Sequence, residues 1–180
     1  IFVKCDVADV KDIKNKLVFF IKKYKKIDSM IYNVYSKPNN YYQQFENYKS
    51  DTWRSVIETN LSGAFFSSQI LIKYFKKNKI KGNLIFLLST YGIVGPNYKI
   101  YEGLKSKKNI YGGKFSLNTP ASYTTTKSGL LGLMKYIATN FGKYGIRSNA
   151  LTPGGVFDGQ EKKFVKKYTN NVPLNRMAKF

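Results

Sequence analysis

Histidine is absent from this 180-residue chain, and cysteine occurs once, as Cys5. A single thiol cannot close an internal disulfide, and without imidazole the usual His and Cys metal-ligand clusters cannot be built. No metal site is expected, and the reducing cytoplasm is the expected setting. Acidic side chains are scarce as well, 10 Asp and Glu against 31 Lys and Arg. No apolar run approaches the roughly 20 residues that cross a bilayer, and the first residues lack the charged-then-apolar layout of a signal peptide. A membrane partner is therefore not expected.

The formal charge of +21 could answer to nucleic acid, an anionic surface or a phosphate-bearing substrate. The lysines, however, are scattered through "KKYKK", "KYFKKNKIK", "LKSKK" and "KKFVKKY" among many Asn, Tyr and Ile. That is the pattern of an AT-rich coding bias. The basic runs lie on separate segments without a nucleic-acid motif, so nucleic acid is not the expected partner.

With 43% hydrophobic residues the chain can bury one sizeable core, and its length suggests one domain over residues 1–180. "IFVKC" reads as the end of a strand, after which Asp9 can cap a helix carrying Val10, Ile13, Leu17, Ile21 and Tyr24 at helical spacing. "DSMIYNVY" reads as the next strand, running into the polar loop "SKPNNYYQQFENYKS". A long helix is expected from about Asp51, with Trp53, Val56, Ile57, Leu61, Phe65 and Leu71 as its apolar positions. "GNLIFLLS" is apolar almost throughout, as suits a parallel strand covered on both faces. After a Gly-, Tyr- and Lys-rich excursion between Thr90 and Pro120, "ASYTTTKSGLLGLMKYIATNFGKYG" predicts a helix ending near Gly142 to Gly145, and "IRSNALTPGG" a strand and turn.

This alternation predicts an α/β fold: a Rossmann-like, doubly wound parallel sheet in three α/β/α layers. Because the chain opens at Ile1 in a strand-like run and "LNRMAKF" carries no stop signal, it reads as a piece truncated at both ends. Ligands of such folds sit beyond the carboxyl ends of the strands, where Asp6, Asn33, Ser89 and Pro153–Gly154 fall.

In "PASYTTTKSG", Tyr123 and Lys127 stand four positions apart and so share a helix face. An ammonium beside a phenol favours the phenolate and lowers its pKa from about 10, which makes it a proton donor or acceptor near neutrality. Alone, the pair reads as a solvated helix face in a chain with 15 tyrosines. It is accompanied by Ser89 at the end of a buried strand and by Asn60 inside an otherwise apolar helix, where an amide needs a partner or a role.

Together these residues resemble the catalytic tetrad of the short-chain dehydrogenase/reductase family. The similarity runs through nearly the whole chain: "CDVAD", "MIYNVYS", "ETNLSGAFF", "LLSTYGIVG" and the run from "SYTTTKSG" to "NALTPGG" match successive family segments. The resemblance implies NAD- or NADP-dependent interconversion of a carbonyl and an alcohol. Tyr123 would be the acid/base, Lys127 would bind the nicotinamide ribose and hold the phenol's pKa down, Ser89 would hold the substrate oxygen, and Asn60 would hold a water linking Lys127 to solvent. Asp6 and Val7 would lie at the adenine, and Asn33, Pro153 and Gly154 along the cofactor. Family members are commonly tetramers or dimers, so a homo-oligomer is implied.

Several features depart from the family pattern. The glycine-rich phosphate loop is not in the chain, so the choice between NAD and NADP is unreadable. Tyr32-Asn33-Val34-Tyr35 stands where the family has Asn-Asn-Ala-Gly, a threonine common after the Pro-Gly turn is missing from "PGGVFDGQ", and Ser89 and Tyr123 are 34 positions apart instead of little more than a dozen. The long insertion "NYKIYEGLKSKKNIYGGKFSLNTPAS", with "PGGVFDGQ" and "VPLNRMAKF", is similar to the flagellin-modification oxidoreductases of nonulosonate sugar pathways. That likeness implies a sugar or sugar-nucleotide substrate. Two readings of the insertion stay open, substrate contact or an edge or subunit contact, and the altered "YNVY" loop keeps a non-catalytic binding or scaffold subunit in view. Without the preceding strands, an exposed parallel edge and poor solubility are expected.

Overall fold

The computed structural model describes residues 1–104 and 115–179. Helix α1 spans Val10–Tyr24 and opens on Asp9, whose carboxylate accepts the Lys11 amide at 2.8 Å. This satisfies one of the amide groups a helix start leaves without a partner. Lys22 and Lys23 lie in its last turn, favourable to the carbonyl end of the helix dipole. Ile13 is buried and Leu17 packs on the core.

Strand β1 (Ser29–Tyr32) leads to helix α2 (Ser50–Ile57) and helix α3 (Gly63–Lys77), then β2 (Asn83–Leu87). Helix α4 (Ala121–Phe141) crosses to β3 (Arg147–Leu151), and α5 (Lys162–Thr169) follows. The strands form one parallel sheet in the order β1-β2-β3, with Tyr32 opposite Phe86 and Phe86 opposite Ala150. Gly145, with φ of +73°, makes the left-handed turn that ends the α4 region and releases the chain into β3. No helix among the described residues is long and apolar enough to cross a membrane.

The parallel α/β architecture agrees with the alternation in the sequence, and the described residues supply the sheet and the helical layer on one face. Leu84 and Phe86 are fully buried there with Leu71, Phe75, Leu130 and Ile137. On the opposite face Ile31 and Leu151 remain 64% and 58% exposed. The expectation that "GNLIFLLS" is covered on both faces is therefore not met among the described residues; burial alternates along β2 with the period of the pleat.

Two further expectations are corrected. "IFVKC" forms no strand, because it makes no ladder with any of the three described strands, and Ile1 and Phe2 are 84% and 92% exposed. The long helix from Asp51 is interrupted by a π-turn at Glu58–Ser62. The extra residue of a π-turn rotates the following helix by about 100°, so a single 3.6-residue stripe cannot describe both halves. Val56 and Leu71 are buried as expected, whereas Trp53 and Phe65 face outward.

Candidate active site

The carboxyl ends of β1, β2 and β3 open onto one cavity of about 390 Å³. Of the residues singled out from the sequence, Asn33, Ser89, Tyr123, Lys127, Pro153 and Gly154 line it, and Asp6, Val7 and Asn60 do not.

Ser89 lies just past β2 and caps a short 3-10 turn, Thr90–Gly92, by accepting the Tyr91 amide at 3.3 Å. Gly92 closes this turn against α4. A Cβ there would lie 2.8 Å from the Lys127 carbonyl carbon and 2.9 Å from its Cβ, inside contact distance. The hydroxyl of Ser128 reinforces the seam by donating to the Gly92 carbonyl at 3.0 Å. A residue without a side chain at position 92 is thus what lets the serine turn meet the helix bearing Tyr123 and Lys127.

On α4 the tyrosine and lysine point to the same region, with Lys127 Nζ 5.8 Å from the Tyr123 ring centroid. Lys127 is buried and donates to the Leu87 carbonyl at 2.5 Å. Burial lowers its pKa, since desolvation disfavours the ammonium. The Tyr123 phenol and the Ser89 hydroxyl line the same cavity; burial raises the phenol's pKa, and the neighbouring Ser89 opposes that rise. This corrects the expectation of a phenol held below its ordinary value by the ammonium. Desolvation is the larger influence, and one of the three N–H donors of the Lys127 ammonium goes to the strand carbonyl.

Asn60 occupies the π-turn and is 1% exposed. Its Oδ1 accepts the Ser36 amide at 2.8 Å, while its Nδ2 has no partner among the described residues. The amide therefore pins the loop after β1 and keeps its buried NH2 group unspent. Tyr32, buried at the end of β1, donates its phenol proton to the Thr59 carbonyl at 2.5 Å, one residue before Asn60. Gly63 permits this approach: a Cβ there would lie 2.5 Å from the Tyr32 hydroxyl and 2.6 Å from the Val7 carbonyl. Asp6 is exposed and caps its own turn, accepting the Ala8 amide at 2.9 Å.

The described parts of the insertion, residues 98–104 and 115–120, border the cavity. Tyr98 donates to the Thr119 carbonyl and Tyr101 bonds the Thr119 hydroxyl, both at 2.7 Å. Tyr101, Leu117, Asn118 and Thr119 line the cavity, and residues 105–114 lie outside the described residues. The "LKSKK" run falls almost entirely in that stretch. Among the described residues, the cations lining the cavity are Lys37 and Lys127, together with one carboxylate, Asp158.

Sequence reasoning missed Tyr41, Tyr42, Phe164, Tyr168 and Met177, which also line the cavity. For Phe164 and Tyr168 a signal was present: "KKFVKKYTNN", read only as basic, sets two aromatics four apart on what is now α5. Tyr41 and Tyr42 sit in an irregular loop with no period to read.

The geometry agrees with comparisons to known proteins. The profile described as short chain dehydrogenase matches residues 1–106, and that described as enoyl-(acyl carrier protein) reductase matches residues 108–180. The chain is 27% identical over 180 residues to the peroxisomal 2,4-dienoyl-CoA reductase of Saccharomyces cerevisiae, covering 96% of this chain and 52% of that protein. It is 25% identical over 169 residues to the post-translational flagellin modification protein A of Campylobacter coli, covering 92% and 60%. A short chain dehydrogenase from Leptospira borgpetersenii, solved with bound NAD+, superposes with a TM-score of 0.81 at 28% identity, covering 98% of this chain and 62% of that one. The chain spans roughly half to two thirds of the length of these relatives. A serine past β2, a tyrosine and lysine one turn apart on α4 and a profile match over more than half of the sequence lead to one assignment: the chain belongs to the short-chain dehydrogenase family.

Proposed function

We propose that this chain carries the catalytic side of an NAD- or NADP-dependent oxidoreductase that interconverts a carbonyl and an alcohol on a sugar or sugar-nucleotide substrate. The observation that carries the reading is the convergence of the Ser89 hydroxyl, the Tyr123 phenol and the Lys127 ammonium on one cavity at the strand ends. The donor set fits a nicotinamide nucleoside. Lys127 supplies an ammonium suited to a ribose diol, and the exposed Pro153–Gly154 backbone offers a wall without side-chain bulk. When bound, the nicotinamide supplies or accepts the hydride.

Ser89 holds the substrate oxygen, and Tyr123 exchanges a proton with it. The phenol is the proton-exchanging group at the cavity, and burial raises its pKa. Lys127 donates to the Leu87 carbonyl, and Asn60, outside the cavity lining, keeps a buried NH2 group without a partner among the described residues. A sugar-like substrate is supported by the tyrosine- and amide-rich wall of Tyr41, Tyr42, Asn118 and Thr119, and by the names of two relatives, an L-rhamnose 1-dehydrogenase and the flagellin modification protein. A cytoplasmic homo-oligomer completes this reading.

The test is Tyr123→Phe in the protein expressed from its complete reading frame. Turnover is expected to fall by about 10²–10⁴-fold, the usual worth of a positioned acid/base, while NADH or NADPH still binds. Undiminished turnover would overturn the assignment. A second reading, a non-catalytic binding or scaffold subunit, is favoured by Tyr35, whose ring lines the cavity under Lys37 Nζ at 4.9 Å. Undetectable binding of both dinucleotides would select it.

A further inference from the structure

Helix α5 sets Tyr168 directly over the turn that follows β3. The Gly155 amide donates to the Tyr168 hydroxyl at 2.5 Å. A Cβ on Gly155 would lie 2.8 Å from Tyr168 Cζ, and one on Gly154 would lie 3.3 Å from its hydroxyl. Neither glycine has a positive φ, so space rather than backbone conformation is what glycine provides here. The far side of Tyr168 stacks on Phe164, with centroids 6.0 Å apart, and Phe164 in turn meets Tyr101 at 5.5 Å.

The helix itself is strapped to the insertion. Lys163 donates to the Gly103 carbonyl at 2.7 Å, and Lys167 to the carbonyls of Lys99 and Glu102 at 2.7 and 2.9 Å. From the other side, the Ala178 amide donates to the Gly155 carbonyl at 3.0 Å. One phenol therefore joins the aromatic wall of the cavity to the Pro153–Gly155 backbone.

We propose that Tyr168 is a positioning residue: by accepting the Gly155 amide it sets the height of the Pro153–Gly154–Gly155 turn over the cavity, so that α5, residues 98–103 and the turn move as one body. Its consequence for cofactor binding rests on the proposed oxidoreductase function; the hydrogen bond itself does not. Because a backbone amide can only donate, the phenol keeps its own O–H as a donor at the cavity wall.

Tyr168→Phe keeps the ring and its stacking and removes only the acceptor. In the full-length protein, hydrogen exchange at the Gly155 amide should speed up about tenfold or more. The dissociation constant for NADH or NADPH, read by fluorescence titration, should weaken about tenfold, the scale of one lost hydrogen bond. Gly155→Ala should weaken the dinucleotide too, by driving the turn off the ring, and this effect should shrink in a Tyr168→Ala background, where the ring is gone. Unchanged Gly155 exchange in Tyr168→Phe would overturn the proposal, as would equal Gly155→Ala effects in both backgrounds. If the wild type binds neither dinucleotide, the oxidoreductase reading fails instead, and amide exchange still decides the role of Tyr168.

Discussion

Replacing Gly92 with alanine adds one methyl group to a protein that has no room for it. Carbon atoms rest about 3.5–4.0 Å apart at their optimum, and the new Cβ would stand 2.8 Å from the Lys127 carbonyl carbon, 2.9 Å from its Cβ and 3.0 Å from its carbonyl oxygen. Two of these atoms are helix backbone, held by the ladder of α4, so they cannot swing aside as a side-chain tip would. The overlap of roughly 0.7–1.2 Å must be relieved by moving the Thr90–Gly92 turn away from the helix. Ser89 moves with that turn and Tyr123 stays with α4, so the displacement falls between two residues that line the same cavity, and the Ser128 bond to the Gly92 carbonyl is strained as well. Overpacking of this kind costs about 1–3 kcal/mol. A midpoint drop of about 2–4 °C per kcal/mol follows for a chain of this size. Misplacement by about 1 Å can also lower turnover by about 10²-fold. Calorimetry and steady-state carbonyl reduction on Gly92→Ala measure both quantities, with Gly95→Ala as control because nothing lies within 4 Å of its added Cβ. A Gly92→Ala protein with the wild-type midpoint and turnover would refute the close-approach argument.

Asn60→Ala leaves the buried-side Ser36 amide without its acceptor, and a loss of about 1–3 kcal/mol in chemical denaturation is expected; an unchanged midpoint would show that this bond does not hold the loop after β1. Stability should fall as pH rises above about 10. Tyr32, Tyr41, Tyr101 and Tyr123 are all raised above their ordinary value of 10.0, in each case chiefly by burial. A phenol whose folded pKa exceeds its unfolded one contributes stability that is complete below the unfolded value and is lost as pH climbs through the folded one. Lys127, lowered by burial, acts in the opposite sense, because its desolvation cost is relieved as it deprotonates. The four phenols outnumber it, and a rise in phenolate absorbance should accompany the loss of helical circular dichroism.

Much of the fold was legible because its signals are local. Asp9 as a cap, the period of α1, the run of α4 from Ala121 and its end near Gly145 each depend on residues within a turn or two of one another. The alternation of strands and helices then restricted the sheet to parallel crossovers. Tyr123 and Lys127 could be placed on one helix face by spacing alone, and Ser89 at a strand end by the apolar run before it.

Other features depended on contacts between distant segments. The hydrogen bond of Lys127 reaches a carbonyl 40 positions away, and that of Asn60 an amide 24 positions away, so neither partner could be read from spacing. The π-turn broke the apolar stripe between Val56 and Leu71, because Asn60 and the Tyr32 contact with Thr59 select an extra residue that periodicity does not reveal. Burial, a property of the assembled core, reversed the expected direction of the Tyr123 pKa. The sequence by itself determined the alternation of β1, β2 and β3 with helices and the placing of Tyr123 and Lys127 on one helix face; the tertiary structure alone decided which groups meet and how dry their surroundings are, since those depend on distances and desolvation that exist only once the segments have packed.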